Sequence, residues 1–245
     1  QTLDWVMEMQ IFDNALALQR FVSSDFAALS GLSYPTASLD GLVLANQWGV
    51  WLFAWDDQCD GTFMGEQPES IDFVQNRFLE ILNGAELSGR DGSLHCALKD
   101  IRGRLLANDP GGQMKWFVES VADYFSGCLW EAKNRRDLLV PRRDDYLKMR
   151  LKSGAVFTVF ELFGFTGVCT PTQQMRDSEG FARLREMANN VICWSNDIFS
   201  FAREARKGDA HNLVIITAVH ENLTTSEADE KVVRLHNEEV EKYLE

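Results

Sequence analysis

Three carboxylates stand close together after an apolar segment in the first quarter of the chain. They belong to the run Asp56-Asp57-Gln58-Cys59-Asp60. Asp56 and Asp60 are four residues apart, so on a helix they lie on one face. Paired carboxylates attract hard divalent cations such as Mg²⁺, which prefer oxygen ligands. The run therefore predicts a metal-binding edge, although a solvated helix end would have a similar composition.

The same run also has an interpretation as a calcium loop. Asp56, Gln58, Asp60 and Gly61 match the first half of an EF-hand loop. The twelfth position of such a loop carries a bidentate Glu, and this chain has Gln67 there. A non-enzymatic Ca²⁺-binding helical module is therefore an alternative that Gln67 disfavours.

A second set of oxygen-bearing side chains occurs near residue 200. Asn196, Ser200 and Glu204 follow one another at intervals of four, which turns each about 40° from the last on a helix. Their amide, hydroxyl and carboxylate oxygens thus line one narrow stripe and could bind a single Mg²⁺ ion. Arg203 adjoins the stripe and could reach an anion bound to that ion. The alternative is an ordinary polar face of a core helix.

The elements that must position these residues are all helical. Apolar residues recur with the 3.6-residue period, and no bounded run of strict alternation occurs, so the sequence predicts an all-α protein. Gly208 is expected to end one long helix, and a capping box at Thr224 and Glu227 to open the last. The predicted helices span residues 42–57, 69–82, 111–134, 146–165, 173–207 and 228–244.

Composition and charge limit the possible functions. The chain has 245 residues, of which 45% are hydrophobic and 25% charged, as in globular proteins. Its net charge of −13 argues against a nucleic-acid partner and requires cations for an anionic substrate. The apolar segments are too short to span a membrane, no secretory signal is visible, and the five cysteines are scattered. The expectation is a cytoplasmic protein that does not bind a membrane.

Together, the two motifs resemble those of class I terpene synthases, especially the microbial single-domain cyclases. That family combines a DDxxD motif with ND-x-x-S-x-x-(K/R)-E. This chain has Asp56-Asp57-x-x-Asp60 and Asn196-Asp197-x-x-Ser200-x-x-Arg203-Glu204. The resemblance implies that Asp56, Asp57, Asp60, Asn196, Ser200 and Glu204 bind Mg²⁺, with three ions when substrate is present.

The resemblance extends to a segment between the two motifs. The family has a diphosphate-sensing arginine followed by a linker and an effector residue, which match Arg150, Ser153 and Gly154. A glycine inside a helix costs about 1 kcal/mol relative to alanine, so Gly154 needs a structural reason. A helix break is one such reason, and close helix packing is the other.

The resemblance implies a fold and an activity. The fold is a class I helical barrel or bundle around a central apolar cavity, as one domain over residues 1–245 that lacks the family's N-terminal and C-terminal ends. The activity is Mg²⁺-dependent cyclisation of a linear isoprenoid diphosphate, farnesyl before geranylgeranyl diphosphate, by a monomer or homodimer. A chain-elongating prenyltransferase shares the fold but would carry a second aspartate-rich motif in place of the Asn-Ser-Glu stripe.

Four side chains are predicted to contact the substrate under this hypothesis. Arg150 and Arg203 would hydrogen-bond to the diphosphate. Phe53 lies one turn before Asp56, and Phe157 follows Gly154. In a cyclase, aromatic faces stabilise carbocations through cation–π attraction. Aromatic residues at helical spacing are also common in an ordinary core.

Overall fold

The structure is a computed structural model that describes residues 1–61, 63–109 and 111–245, with only the backbone described at residues 60, 61 and 63. Its described residues form α-helices and one short 3₁₀ helix, Phe63–Glu66. In chain order, the α-helices are α1 (Thr2–Glu8), α2 (Ala15–Ser23), α3 (Phe26–Ser33), α4 (Leu39–Gly61), α5 (Pro68–Leu82), α6 (Ser93–Ala107), α7 (Met114–Arg136), α8 (Arg143–Ser153), α9 (Val156–Phe165), α10 (Gln173–Arg176), α11 (Glu179–Lys207), α12 (Leu213–Glu221) and α13 (Thr225–Leu244). The prediction of an all-α protein is confirmed.

Local sequence signals explain the end of α11 and the start of α13. Gly208 follows α11 with φ +79°, a left-handed conformation that glycine adopts without strain. The Thr224 side chain accepts a hydrogen bond from the backbone N–H of Glu227, whose carboxylate accepts one from Thr224 N–H, so the predicted capping box opens α13.

Two predicted helices are each divided in the structure. The segment 146–165 becomes α8 and α9, with the break at Gly154 and Ala155. The segment 173–207 becomes the single turn of α10 followed by α11. Ser178 separates this second pair, because its hydroxyl accepts a hydrogen bond from Phe181 N–H and so begins a new helix.

The chain forms two compact units. The first comprises residues 1–65, 69–122 and 158–171 and contains α1 to α4 and α6. Helix α4 is the centre of its aromatic core, where Trp48, Trp51 and Trp55 are fully buried. Trp48 and Trp51 stack with ring centroids 5.2 Å apart, and the indole N–H of Trp48 donates to Thr158 Oγ1 at 3.0 Å. The buried, apolar character predicted for this helix is confirmed.

The second unit comprises residues 66–68, 123–157 and 172–245. Within it, α11 packs against α8, α12 and α13, and α12 packs against α8 and α13. One hydrophobic cluster of this unit consists of fully buried side chains from α8, α12 and α13, namely Tyr146, Leu213, Val214, Ile216, Ala228 and Val232. This packing supports α11 with three neighbouring helices, which matters because the oxygen stripe lies on α11.

Among the described residues, no helix is both long and apolar enough to cross a membrane.

The expectation that residues 1–245 act as one domain stays a prediction.

Candidate active site

The predicted oxygen stripe lies on α11, as its spacing requires. Asn196 is exposed, Ser200 is buried, and the Glu204 side chain is 21% exposed. The three residues follow at i, i+4 and i+8 on a continuous helix, so their side chains project from one side. The stripe thus presents amide, hydroxyl and carboxylate oxygens, which are the ligand types that Mg²⁺ prefers.

The neighbouring Asp197 is turned into the protein. Its carboxylate accepts hydrogen bonds from the hydroxyl of Tyr146 at 2.7 Å and from Leu213 N–H at 3.0 Å, and it forms an ion pair with Arg150 at 2.8 Å. Burial raises the pKa of Asp197 above its ordinary value, while Arg150 and Tyr146 act in the opposite direction. Asp197 thereby joins α8, α11 and the start of α12.

Arg150 connects this buried carboxylate to the stripe. Its Nη2 donates to Asn196 Oδ1 at 2.9 Å, and its Nε donates to Asp197 Oδ1 at 3.1 Å. Burial lowers the pKa of a guanidinium, but the Asp197 charge keeps the pKa of Arg150 above its ordinary value. Arg150 therefore stays positively charged beside the stripe, as binding of a diphosphate would require.

The segment after α11 holds the far end of the stripe. Asn212, which is fully buried, donates from Nδ2 to Glu204 Oε2 at 2.8 Å and to the Asp197 carbonyl at 2.8 Å. Asp209 holds the same segment in place by two contacts. Its Oδ1 accepts a hydrogen bond from His211 Nδ1–H at 2.7 Å, and its Oδ2 forms an ion pair with Arg135 Nη2 at 3.0 Å. This segment thus sets where the Glu204 carboxylate lies.

The predicted linker and effector residues lie at the break between α8 and α9. α8 ends at Ser153, and the left-handed conformation falls on Ala155, with φ +57°, rather than on Gly154, with φ −69°. A Cβ on Gly154 would lie 2.3 Å from Cys193 Sγ of α11. Gly154 therefore has both of the expected reasons, since it ends a helix and lets α11 approach closely.

Arg203 has a different setting from Arg150. Its side chain is 67% exposed, and its Nη2 lies 3.7 Å from Glu204 Oε1. An exposed ion pair at that distance stabilises little. Arg203 is therefore more loosely held than Arg150.

The aspartate-rich run lies at the C-terminal end of α4, in the first unit. Asp56 is partly buried and Asp57 is exposed, while Trp55 and Cys59 are buried. The side chain of Asp60 lies outside the described residues. The carboxylates of Asp56 and Asp57 thus lie at a polar edge of an otherwise apolar helix.

The two predicted cavity aromatics have neighbours in their own units. Phe53 is 50% exposed, and its ring centroid lies 4.9 Å from that of Phe26. The Phe157 ring lies 5.1 Å from the guanidinium carbon of Arg185, so one of its faces is within cation–π distance of a fixed charge. Whether either ring contacts a substrate stays a prediction.

The structure gives a part in this arrangement to residues that the sequence motifs leave unassigned, among them Asp197, Tyr146 and Asn212. Asp197 belongs to the quoted motif without an assigned role, and Tyr146 and Asn212 were not identified. Asn212 had a local signal, since an Asn before the apolar run Leu213-Val214-Ile215-Ile216 is typical of a helix N-cap. Nothing local connects Tyr146 to Asp197, because their contact comes from packing of α8 on α11.

The donor chemistry of the stripe fits a hard divalent ion. Its oxygens belong to an amide, a hydroxyl and one carboxylate, a set that differs from a His, Cys or acidic cluster. Across residues 1–61, 63–109 and 111–245, no group of three His, Cys, Asp or Glu side chains is placed to hold a metal. Any ion bound by the stripe would need further oxygen ligands, which a diphosphate could supply.

Comparison with known proteins identifies the family. Residues 47–242 match the family described as terpene synthase family 2, C-terminal metal binding. Germacrene A synthase of Nostoc punctiforme is 37% identical over 98% of this chain and 74% of its own length. The (+)-T-muurolol synthase of Roseiflexus castenholzii is 33% identical over 99% of this chain and 74% of its own length.

Solved structures show the same fold. The crystal structure of germacradien-4-ol synthase from Streptomyces citricolor gives a TM-score of 0.87 at 24% identity, over 99% of this chain and 77% of that one. The crystal structure of linalool/nerolidol synthase from Streptomyces clavuligerus gives a TM-score of 0.88 at 23% identity, over 99% of this chain and 80% of that one. The chain therefore has the helical fold of class I terpene synthases, belongs to terpene synthase family 2 and is a microbial terpene synthase, a carbon–oxygen lyase.

Proposed function

We propose that the protein ionises farnesyl diphosphate and cyclises the resulting carbocation, with Mg²⁺ bound by both motifs. The observation that carries the proposal is the oxygen stripe of α11, with the charged Arg150 hydrogen-bonded to its first residue at 2.9 Å. The substrate is inferred from relatives such as the (+)-T-muurolol synthase, which is named as cyclising (2E,6E)-farnesyl diphosphate.

The metal ligands in this proposal are oxygens on two helices. Asn196, Ser200 and Glu204 of α11 form one set, and Asp56 and Asp57 of α4, with Asp60, form the other. Three bound Mg²⁺ ions would supply the positive charge that a departing diphosphate needs. Cations are required because the protein itself carries a net charge of −13.

Two arginines would complete the diphosphate site. Arg150 is held in place by Asp197 and so presents a fixed guanidinium. Arg203 is exposed and would adjust to the bound anion. Charge-assisted hydrogen bonds from both would stabilise the negative charge that develops as the carbon–oxygen bond breaks.

The hydrocarbon part of the substrate would contact the break after α8 and aromatic rings. Ser153 and Gly154, three and four residues after Arg150, lie at that break, so they connect the diphosphate-binding arginine to the start of α9. Phe53 and Phe157 would offer ring faces to the carbocation.

Neither alternative function is favoured. The relatives are named as terpene synthases rather than prenyltransferases, and the family model is that of a terpene synthase metal-binding region rather than a Ca²⁺ module. A single domain, a monomeric or homodimeric state and a cytoplasmic location remain predictions.

The test is incubation of the whole protein with C10, C15 and C20 isoprenoid diphosphates and Mg²⁺, followed by identification of the products. We expect a cyclic C15 product from farnesyl diphosphate and none in the presence of EDTA. Glu204→Gln should abolish turnover, because the amide removes the only anionic ligand of the stripe. Glu186→Gln, an exposed position on the same helix, is the matched control and should leave turnover unchanged.

Two results would contradict the proposal. One is unchanged turnover in Glu204→Gln. The other is a longer prenyl diphosphate, formed when isopentenyl diphosphate is added, in place of a cyclic hydrocarbon or alcohol.

A further inference from the structure

The buried amide of Asn212 uses both its N–H donors and its oxygen in one orientation. Its Oδ1 accepts from Val214 N–H at 2.9 Å, and its Nδ2 donates to Asp197 O and Glu204 Oε2, each at 2.8 Å. Because Val214 N–H can only donate and a carbonyl can only accept, exchanging the amide oxygen and nitrogen would break these bonds. Asn212 is fully buried, so no water replaces them.

This amide acts on one oxygen of Glu204. Oε2 takes the hydrogen bond from Asn212, whereas Oε1 lies on the side of Arg203, which is 67% exposed. The Oγ of Ser200, the preceding residue of the stripe, lies 3.5 Å from the same Asn212 nitrogen. Oxygens of the two less exposed residues of the stripe are therefore close to a single donor that is fixed by the start of α12.

Asn212 is not suited to be a ligand itself. Its only oxygen accepts the N-cap hydrogen bond that begins α12. Its contribution to a metal would instead be to hold the carboxylate rotamer, as outer-shell hydrogen bonds do at metal sites.

We propose that Asn212 is a positioning residue, which orients Glu204 for metal binding through the hydrogen bond from Nδ2 to Oε2. The inference rests on the proposed role of Glu204 as a Mg²⁺ ligand. Without this bond the carboxylate would sample several rotamers, and each bound ion would have to order it.

The test is direct Mn²⁺ binding, measured by the electron paramagnetic resonance signal of free Mn²⁺ in the presence of inorganic diphosphate. Asn212→Ser keeps an oxygen for the N-cap but is too short to reach Glu204. We expect its Mn²⁺ affinity to fall about 10- to 100-fold, the effect typical of outer-shell changes. Asn14→Ser is the matched control, since Asn14 caps α2 through the same type of bond to Ala17 N–H. It should bind Mn²⁺ like the unchanged protein.

A double-mutant cycle separates positioning from a general structural role. If Asn212 acts through Glu204, Asn212→Ser should weaken Mn²⁺ binding no further in a protein that already carries Glu204→Gln. Additive losses, or affinity within twofold of the unchanged protein in folded Asn212→Ser, would overturn the inference. Should Asn212→Ser not fold, Asn212→Asp keeps the shape and the cap but sets an acceptor against Glu204, and equal or tighter Mn²⁺ binding would overturn it.

The same experiment distinguishes this inference from the proposed function. Equal Mn²⁺ binding by Glu204→Gln and the unchanged protein would remove Glu204 as a ligand, and both proposals would fail. Weaker binding by Glu204→Gln with unchanged binding by Asn212→Ser would contradict only the role of Asn212.

Discussion

Arg150 Nη2 lies 2.9 Å from Asn196 Oδ1, so the predicted diphosphate sensor is hydrogen-bonded to a predicted metal ligand. Because a guanidinium can only donate, the amide oxygen of Asn196 must face it. That oxygen is also the one a metal would use. The hydrogen bond between Arg150 and Asn196 would therefore change when Asn196 binds a metal, and also when Arg150 binds diphosphate.

The first prediction concerns the pair of Arg150 and Asp197. Arg150→Gln should lower the free energy of unfolding by about 3–5 kcal/mol, because it leaves the buried Asp197 carboxylate without its counter-charge. Adding Asp197→Asn should recover much of that stability, yet turnover should remain absent. Urea unfolding and product formation measure the two effects. Restored turnover in the double variant would show that Arg150 is structural only.

The second prediction concerns the close approach at Gly154. Gly154→Ala should destabilise by about 1–3 kcal/mol, because the added Cβ would lie 2.3 Å from Cys193 Sγ. The loss should shrink in the background of Cys193→Ala, where the clashing atom is absent. Gly103→Ala is the control, since nothing lies within 4 Å of its Cβ in α6, and it should stabilise by up to about 1 kcal/mol. An equal loss of stability in the unchanged protein and in the Cys193→Ala background would argue against packing as the cause.

The third prediction concerns pH. Burial alone would raise the pKa of Asp209, but the hydrogen bond from His211 and the charge of Arg135 lower it below its ordinary value. A carboxyl with a lowered pKa in the folded state contributes stability above its unfolded pKa and loses it as pH falls. Asp209→Asn should therefore reduce stability at pH 7 more than at pH 3. Asp13→Asn, at an exposed site, controls for the loss of one charge; a parallel pH profile in the two variants would contradict the prediction.

The fourth prediction concerns the aromatic rings. Phe53→Leu should change the ratio of terpene products by about 2- to 30-fold, if a cation–π contact of about 0.5–2 kcal/mol selects between carbocations. Phe73→Leu is the control, because Phe73 is 77% exposed on α5. Gas chromatography with mass spectrometry measures the ratio. An unchanged ratio in Phe53→Leu would remove Phe53 from the substrate site.

The features that could be predicted from the amino-acid sequence are those that depend on neighbours within a few helical turns. The helical period placed Asn196, Ser200 and Glu204 on one stripe, and α11 bears this out. Capping chemistry placed the end of α11 at Gly208 and the start of α13 at Thr224. These signals are readable because hydrogen bonds of caps and helices join residues no more than four or five positions apart.

The contacts that hold the stripe in place depend on how separate helices pack together. The partners of Asp197 lie on α8 and at the start of α12, and the position of Glu204 depends on Asn212 beyond the end of α11. The sequence left a helix break and close packing as alternative reasons for Gly154, and the structure shows both, with the left-handed residue at Ala155. Contacts between separate helices depend on how those helices pack, and the 3.6-residue period carries no information about the partner that a buried polar atom meets.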